Sequence, residues 1–325
     1  MTQMNMVEAL NSALHEEMGR DATVVVLGED VGVDGGVFRV TDGLLDKFGP
    51  DRVLDTPLSE SGFVGLAAGM ALYGMRPVVE LQFDGFVPPA FDQVFSHISR
   101  MRNRSQGRYG MPVVIRFPYG GGVRALEHHA ESIETLFVHT PGLKVVVPST
   151  PRDAKGLLSS AIRDPDPVIF TEPKRLYRAA REEVPDGPHT EPIGKAKVVR
   201  QGDDLTLIGW GAMVPRMLRA AELVEGKGTS AEVIDLRTLK PYDEPTVRSS
   251  VERTGRAVVV QEAPRTLGFA SEVSARISER LMASLEAPVV RLTGFDVPFP
   301  YYKMEAWAMP DVDRIVKAMR TVLTW

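Results

Sequence analysis

Short runs of aliphatic and β-branched residues alternate with helical patterns along the whole chain, and this alternation restricts the fold more than any other feature. Residues 23–27 form a continuous run of β-branched and aliphatic residues, which is typical of a strand buried on both faces. A helical repeat precedes that run and consists of Met6, Ala9, Leu10, Ala13, Leu14 and Met18. Because strands and helices keep alternating in this way, we expect an α/β fold with a doubly wound, mostly parallel sheet.

A change of composition at residues 181–196 divides the chain. This segment is polar and rich in turn-forming residues, which indicates an interdomain linker. We therefore predict a first domain over residues 1–185, a linker over 186–200 and a smaller α/β C-terminal domain over 201–325. The apolar patterns of the second domain predict strands near 204–209, 232–236, 257–261 and 288–292, and a final helix from Met309 to about Val322.

The composition excludes several classes of protein. The 325 residues are 43% hydrophobic and 25% charged, as in globular proteins, and the formal charge of −5 gives no reason to expect nucleic acid. There is no cysteine, so disulfides and cysteine nucleophiles are excluded and a cytoplasmic location is expected. The longest apolar runs have the length of strands, so we expect no membrane span. We also expect no signal peptide, because residues 1–10 lack a basic region.

The stretch over residues 54–65 places one carboxylate, Glu60, between a predicted strand and a helix that carries almost no charge. Pro57 favours an extended entry because it disfavours the α region at the preceding residue, and Ser59 is placed to cap the helix. The helix is rich in glycine and alanine, so we expect its backbone to pack closely against another element. Glu60 would then be partly dehydrated; alternatively, it only complements the helix N-terminus, where acidic residues are favoured.

Three further side chains, Gln82, Phe86 and His129, come at or just after the carboxyl ends of predicted strands. Open α/β sheets bind ligands at this edge, so we expect one crevice to collect these side chains together with Glu60. Histidine is suited to proton transfer near neutral pH. A solvated loop pair is the alternative interpretation of His128 and His129.

Other patterns leave two interpretations open. The three glycines at 120–122 fit either a phosphate-binding loop or a mobile turn. The Asp-Pro-Asp-Pro segment at 164–167 ends a helix, where free carbonyl groups suit a cation, but turn formation explains it equally well. Common nucleotide, zinc and hydrolase motifs are missing: G-x-G-x-x-G, the P-loop, H-E-x-x-H and G-x-S-x-G.

Seven segments resemble the beta subunit of thiamine-diphosphate-dependent 2-oxo acid dehydrogenases, and the resemblance covers nearly the whole chain in order. They are Gly28–Val31, Gly36–Arg39, Asp55–Glu60, Glu80–Asp84, Phe91–Gln93, His139–Val145 and Asp235–Leu239. The resemblance implies a transketolase-like fold, with a pyrimidine-binding domain followed by a C-terminal domain. It also implies that an alpha subunit binds Mg²⁺ and the diphosphate, because the family's Gly-Asp-Gly and Asn-Asn motif is missing from this chain.

The same resemblance assigns roles to single residues. It implies that Glu60 is the catalytic glutamate, bonded to N1′ of the cofactor's aminopyrimidine, and that His129 orients or protonates substrate and lipoyl groups. Leu58, Gln82 and Phe86 match the pyrimidine contacts of the family. A structural potassium site is implied at Met111, Val113, Val114, Ala161, Asp164 and Asp166.

The implied activity is the oxidative decarboxylation of a 2-oxo acid and the reductive acylation of lipoyl groups. In the family two alpha and two beta chains assemble, and the beta chain meets the dihydrolipoyl acyltransferase core. The segment Glu172–Arg178 resembles the branched-chain type, with the pyruvate and acetoin types as alternatives. A non-catalytic assembly module and a self-sufficient transketolase-like enzyme are rivals of other classes.

Overall fold

The computed structural model describes residues 1–226, 228–301 and 303–325, in which helices pack on two mostly parallel sheets. The strands are β1 (Thr2–Met4), β2 (Val24–Gly28), β3 (Val53–Asp55), β4 (Arg76–Glu80), β5 (Val114–Tyr119), β6 (Lys144–Val146), β7 (Val168–Pro173), β8 (Glu182–Val184), β9 (Lys197–Arg200), β10 (Leu205–Gly209), β11 (Ala231–Asp235), β12 (Thr238–Lys240), β13 (Ala257–Val260) and β14 (Val290–Leu292). The α-helices are α1 (Met6–Arg20), α2 (Leu44–Phe48), α3 (Glu60–Leu72), α4 (Val87–Asp92), α5 (Met101–Arg104), α6 (Glu134–His139), α7 (Pro151–Arg163), α8 (Met213–Glu225), α9 (Glu244–Thr254), α10 (Phe269–Leu281), α11 (Glu305–Ala308) and α12 (Val312–Leu323).

The first sheet has the strand order β12-β6-β7-β5-β4-β2-β3. Every neighbouring pair in it is parallel except β12 with β6. Each residue of β2 is buried, as predicted for a strand covered on both faces. In the register, Gly28 pairs with both Asp55 and Glu80, so the carboxyl ends of three strands are level. The loops that follow β2, β3, β4 and β5 therefore start at one edge of the sheet.

The second sheet has the order β14-β13-β10-β11-β9, and its four predicted strands are present within about two residues of their expected bounds. Its edge strand β9 runs antiparallel to β11 and lies inside the segment 186–200 that the sequence assigns to the linker. Its pairing partner lies far along the chain, so local composition does not reveal it. The final helix begins at Val312, three residues later than predicted, because Asp311 caps it by accepting a bond from the Arg314 N–H.

The turn-forming segment around residue 183 also differs from the sequence expectation. Residues 182–184 form β8, which pairs antiparallel with β1 at the start of the chain. This two-stranded sheet ties the end of the first domain to its beginning. Among the described residues no helix is both long and apolar enough to cross a membrane.

Candidate active site

A buried ion network supports the edge of the first sheet where the loops converge. Arg116 of β5 donates to both carboxylate oxygens of Glu172 in β7, at 2.7 and 2.8 Å, and also to the carboxylate of Glu80 in β4. The Tyr177 hydroxyl donates to Glu172 as well, at 2.6 Å. Because all four side chains are buried, these bonds fix the ends of three adjacent strands.

Glu60 is the first residue of α3, and only 8% of its surface is exposed. The expected dehydration of this carboxylate is therefore observed. Ser59 occupies the N-cap position, but its side chain makes no capping hydrogen bond, so that prediction is wrong. The expected close packing of the glycines holds at Gly65, where an added Cβ would lie 3.2 Å from Gln93, but Gly69 has open space beside it.

Glu29, directly after β2, is a site residue that the sequence analysis did not select. Its side chain is 3% exposed, and neither carboxylate oxygen has a hydrogen-bond partner among the described residues. Burial, together with the negative charges of Glu60 and Asp30, raises its pKa to about 7. The available signal was an acid directly after a fully apolar strand, which turn chemistry also explains.

Gln82 reaches the same crevice from the loop after β4. Its side-chain amide donates to the Asp30 carboxylate at 2.7 Å, so it joins the loops that follow β2 and β4. Leu58, in contrast, is 78% exposed. The chain brings Leu58 to the rim of the site without covering it.

Aromatic contacts place His129 against the loop after β4. The ring centroid of Phe83 lies 4.3 Å from that of His129, and Phe86 lies at 5.2 Å. A Cβ at Gly85 would overlap the carbonyl oxygen of His128, so the two loops touch through their backbones. His129 is half-buried and its Nδ1 lies 2.6 Å from the Glu127 carbonyl oxygen, whereas His128 is exposed. The two histidines therefore differ: His129 packs against the aromatic rings, and His128 is exposed to solvent.

The three glycines at 120–122 are packed against residues of the C-terminal part of the chain. The Gly121 N–H donates to Glu262 of the C-terminal domain at 2.5 Å. A Cβ at Gly121 would overlap the ring of Phe299. These glycines let the first domain pack closely against the second.

The six residues expected to bind potassium cluster below the opposite end of β5 and β7, but much of their capacity is already used. Asp164 accepts from the Lys144 ammonium at 2.7 Å, and Asp166 pairs with Arg102. The carbonyls of Met111, Val113 and Ala161 accept backbone N–H groups of Val113, Val168 and Asp164. A potassium ion would therefore depend on the second lone pairs of these carbonyls, and the site stays a prediction.

The crevice thus combines two buried carboxylates, an imidazole, an amide and two phenyl rings, supplied by Glu60, Glu29, His129, Gln82, Phe83 and Phe86. Within the described ranges, no three histidine or acidic side chains are grouped to hold a metal ion. This set is suited to hold a flat, nitrogen-containing ring, because carboxyl and amide groups can bond to its nitrogen atoms and aromatic rings can pack on its face.

Comparisons with known proteins agree with this geometry. The family description "Transketolase, pyrimidine binding domain" matches residues 2–180, and "Transketolase, C-terminal domain" matches residues 194–315. The pyruvate dehydrogenase E1 component subunit beta of Bacillus subtilis is 53% identical over 323 residues, 99% of each chain. That of Acholeplasma laidlawii is 51% identical over 320 residues, 98% of each chain. A solved chain described as split gene transketolase, inactive beta4 tetramer, superposes with a TM-score of 0.81 at 25% identity and 99% coverage of both chains, which confirms the expected transketolase-like fold.

Proposed function

The chain belongs to the E1 beta subunits of 2-oxo acid dehydrogenase complexes, a thiamine-diphosphate-dependent family, and on this premise we propose that it supplies half of an active site that decarboxylates pyruvate. Relatives that are 51–53% identical and carry the pyruvate name support pyruvate better than the branched-chain acids suggested by the segment Glu172–Arg178. In this proposal the acyl group passes to a lipoyl acceptor on a dihydrolipoyl acyltransferase core.

The observation that carries the proposal is the buried carboxylate of Glu60 at the strand-end crevice. An aminopyrimidine offers a ring nitrogen that bonds to a carboxyl group and a flat face that packs on aromatic rings. Glu60 and the rings of Phe86 and His129 fit those two requirements. The unpartnered carboxylate oxygens of Glu29 mark a place where a polar group is still needed. The residues present therefore fit thiamine diphosphate.

When bound, the cofactor would supply a carbon nucleophile for the 2-oxo acid and accept the electron pair left after carbon dioxide departs. Glu60 would hold a proton in its bond to the pyrimidine nitrogen. Burial of that bond keeps water from competing for the proton. Gln82 would fix the approach of the ring from the side of Asp30.

His129 would handle protons on the substrate side. A backbone carbonyl only accepts hydrogen bonds, so the contact of Nδ1 with the Glu127 oxygen assigns the proton to Nδ1. With Nδ1 used in this way, Nε2 is the ring nitrogen left for proton exchange. Nε2 would accept or return a proton at the substrate oxygen.

A second polypeptide fits the exposed features of this half-site. The outer face of α3 carries no charge after Glu60 and exposes Leu66, Leu72, Gly62 and Gly69. Leu58, expected to touch the pyrimidine, is exposed beside it. We propose that an alpha subunit covers this side, supplies the Mg²⁺ and diphosphate contacts, and completes a heterotetramer of two alpha and two beta chains.

The test is reconstitution with the alpha partner, followed by assays of the decarboxylation of pyruvate and 2-oxoisovalerate and of the carbon–carbon cleavage of acetoin. We expect kcat/KM for pyruvate to exceed the other values by about tenfold or more, the usual discrimination for small differences in an apolar pocket. A preference for 2-oxoisovalerate would restore the branched-chain interpretation. No turnover of any substrate would favour the assembly module. Tight calorimetric binding of thiamine diphosphate and Mg²⁺ by the chain alone would favour a self-sufficient enzyme.

A further inference from the structure

A buried ion pair lies directly behind the aromatic contacts of the candidate site. Lys174 follows β7 and Asp84 follows β4, and their charged atoms are 3.5 Å apart with both side chains inaccessible to solvent. The Lys174 ammonium has no closer hydrogen-bond partner within the described residues. Taking both charges of such a pair out of water is costly, so the presence of the pair here needs a reason.

Asp84 connects the two loops that carry the site. One of its carboxylate oxygens accepts from the Gly85 N–H at 3.0 Å, and the other lies 3.3 Å from the Gly120 N–H. Gly85 in turn touches the His128 carbonyl, so the short 3₁₀ helix Asp84–Phe86 is held against the loop that bears His129. The carboxylate is thus bonded to both sides of the junction.

Lys174 also contacts the residue before Asp84. Its ammonium lies 5.7 Å from the centroid of the Phe83 ring, within cation–π distance. The ring of Phe83 in turn contacts the ring of His129. Lys174 therefore contacts both the carboxylate and the ring that support the histidine.

We infer that the Lys174–Asp84 pair positions Phe83, Phe86 and His129, so that Lys174 influences the reaction without touching the substrate. Both members are positioning residues. The effect on turnover rests on the proposed function, whereas the effect on loop order does not. Losing either partner leaves the other as a lone buried charge, and the loops then shift or open to hydrate it.

The charges around the pair determine how each variant depends on pH. Burial raises the pKa of Asp84 and the charge of Lys174 opposes this rise, so that the pKa is about 7. Burial lowers the pKa of Lys174, and Asp84 opposes that fall. The other titratable or charged groups that act on the pair are Glu131, Tyr119, Glu262 and Glu305, with Arg175 and Arg216 facing Glu262.

Opposite pH slopes follow from these neighbours. In Lys174→Met the pKa of Asp84 rises further, so turnover is retained at low pH and is lost as the pH rises through that pKa. In Asp84→Asn the pKa of Lys174 falls further, so turnover is low at low pH and recovers as the ammonium deprotonates. Each slope approaches about tenfold per pH unit, the limit for one titrating group.

The experiment uses the full chain assembled with its alpha partner. The variants are Lys174→Met, Asp84→Asn, the neutral double variant and Lys155→Met, which removes another buried ammonium, paired with Glu16 away from the site. For each, kcat and KM are measured from pH 6 to 8.5. Hydrogen exchange of residues 81–87 and 120–131 is measured without cofactor. We expect opposite pH slopes in the single variants, a flat profile within about threefold of the parent in the double variant, and faster exchange in both loops of the single variants only.

The inference is wrong if Lys174→Met has the turnover and loop exchange of the parent. It is also wrong if Lys174→Met and Lys155→Met have the same pH profile and the same loop exchange. A double variant that stays as impaired as the single variants would likewise contradict it. If Lys174→Met does not fold, Asp84→Asn still tests the expected pH slope, and the double variant still tests whether activity is rescued. If neither the slope nor the rescue is observed, the inference is wrong. A parent assembly without turnover on any substrate instead overturns the proposed function, while loop exchange still decides the positioning role.

Discussion

The ring of Phe83 contacts the imidazole of His129 at a centroid separation of 4.3 Å, and this is the shorter of two aromatic contacts that join the loop after β4 to the loop after β5. Neither ring is fully buried. The orientation of the imidazole therefore depends on a contact that solvent can reach, not on a rigid core. Small changes at this pair are expected to change reactivity before they change stability.

Replacing Phe83 with leucine tests that expectation. Edge contacts between aromatic rings contribute about 0.5–1.5 kcal/mol beyond their area, so we expect kcat to fall by about three- to tenfold with little change in KM for the cofactor. Steady-state kinetics of the assembled enzyme measures this. Phe48→Leu is the control, because Phe48 is also half-buried but packs near His15 and Arg52. Equal losses in both variants would contradict a specific role.

Replacing Glu60 with glutamine removes the acid while keeping its size. Proton transfer by a positioned side chain contributes about 10²–10⁴-fold to rate, so we expect kcat to fall by that factor while assembly with the alpha subunit is unchanged. Glu244→Gln, at the first position of α9, controls for loss of an acid at a helix start. Normal turnover in Glu60→Gln would remove the catalytic role.

Glu29→Gln is expected to change how stability depends on pH. The carboxyl has a pKa of about 7 in the folded chain and 4.5 as its ordinary value, so the folded state binds the proton more tightly. A raised acid pKa means that burying this group costs nothing below pH 4.5, and that its cost grows until the pH reaches about 7. Glu29→Gln should therefore gain stability over the parent at pH 8 but not at pH 4.5. Urea unfolding of the chain at both values measures this, and an equal difference at both would contradict it.

Gly85→Ala is expected to separate the two loops. The added Cβ would overlap the His128 carbonyl, and a backbone group cannot move aside cheaply. We expect at least a tenfold loss of kcat, because small misplacement of a reacting group can cost about 10²-fold. Gly19→Ala, inside α1 with open space around it, should leave activity intact and stabilise the helix by about 0.5–1 kcal/mol. Parental activity in Gly85→Ala would show that the loops need not touch.

Potassium binding is expected to stabilise the chain if the predicted site is used. A ligand at 100 times its Kd adds about 2.7 kcal/mol to the free energy of unfolding. Thermal unfolding in KCl is therefore compared with unfolding in choline chloride at equal ionic strength. Lys144→Met, which frees Asp164, should strengthen the potassium effect. Identical midpoints in both salts for parent and variant would rule the site out.

The alternation of strands and helices was predictable because central strands such as β2 are buried along their whole length and leave a recognisable aliphatic run in the sequence. The short strands β8, β9 and β12 could not be predicted in this way. Each has only three or four residues and forms by pairing with a strand that is distant in the sequence. Patterns within a few residues carry no information about such pairings.

The site was predictable where a residue type stands out from its surroundings. Glu60 stands out in an uncharged helix, and His129 was recovered through the family resemblance. Glu29 and Lys174 do not stand out in the sequence, because an acid in a turn and a lysine among basic residues are both common. Their importance comes from burial beside particular neighbours, which the tertiary structure creates.

Strand β12, contributed by residues 238–240, closes one side of a sheet whose other six strands lie before residue 174. During synthesis, the backbone N–H and C=O groups on one edge of β6 therefore stay unpaired until about a hundred further residues have left the ribosome. A nascent first domain, or a fragment cut at the linker, would present that edge to other chains. Self-association is therefore expected of a chain that is cut between β6 and β12.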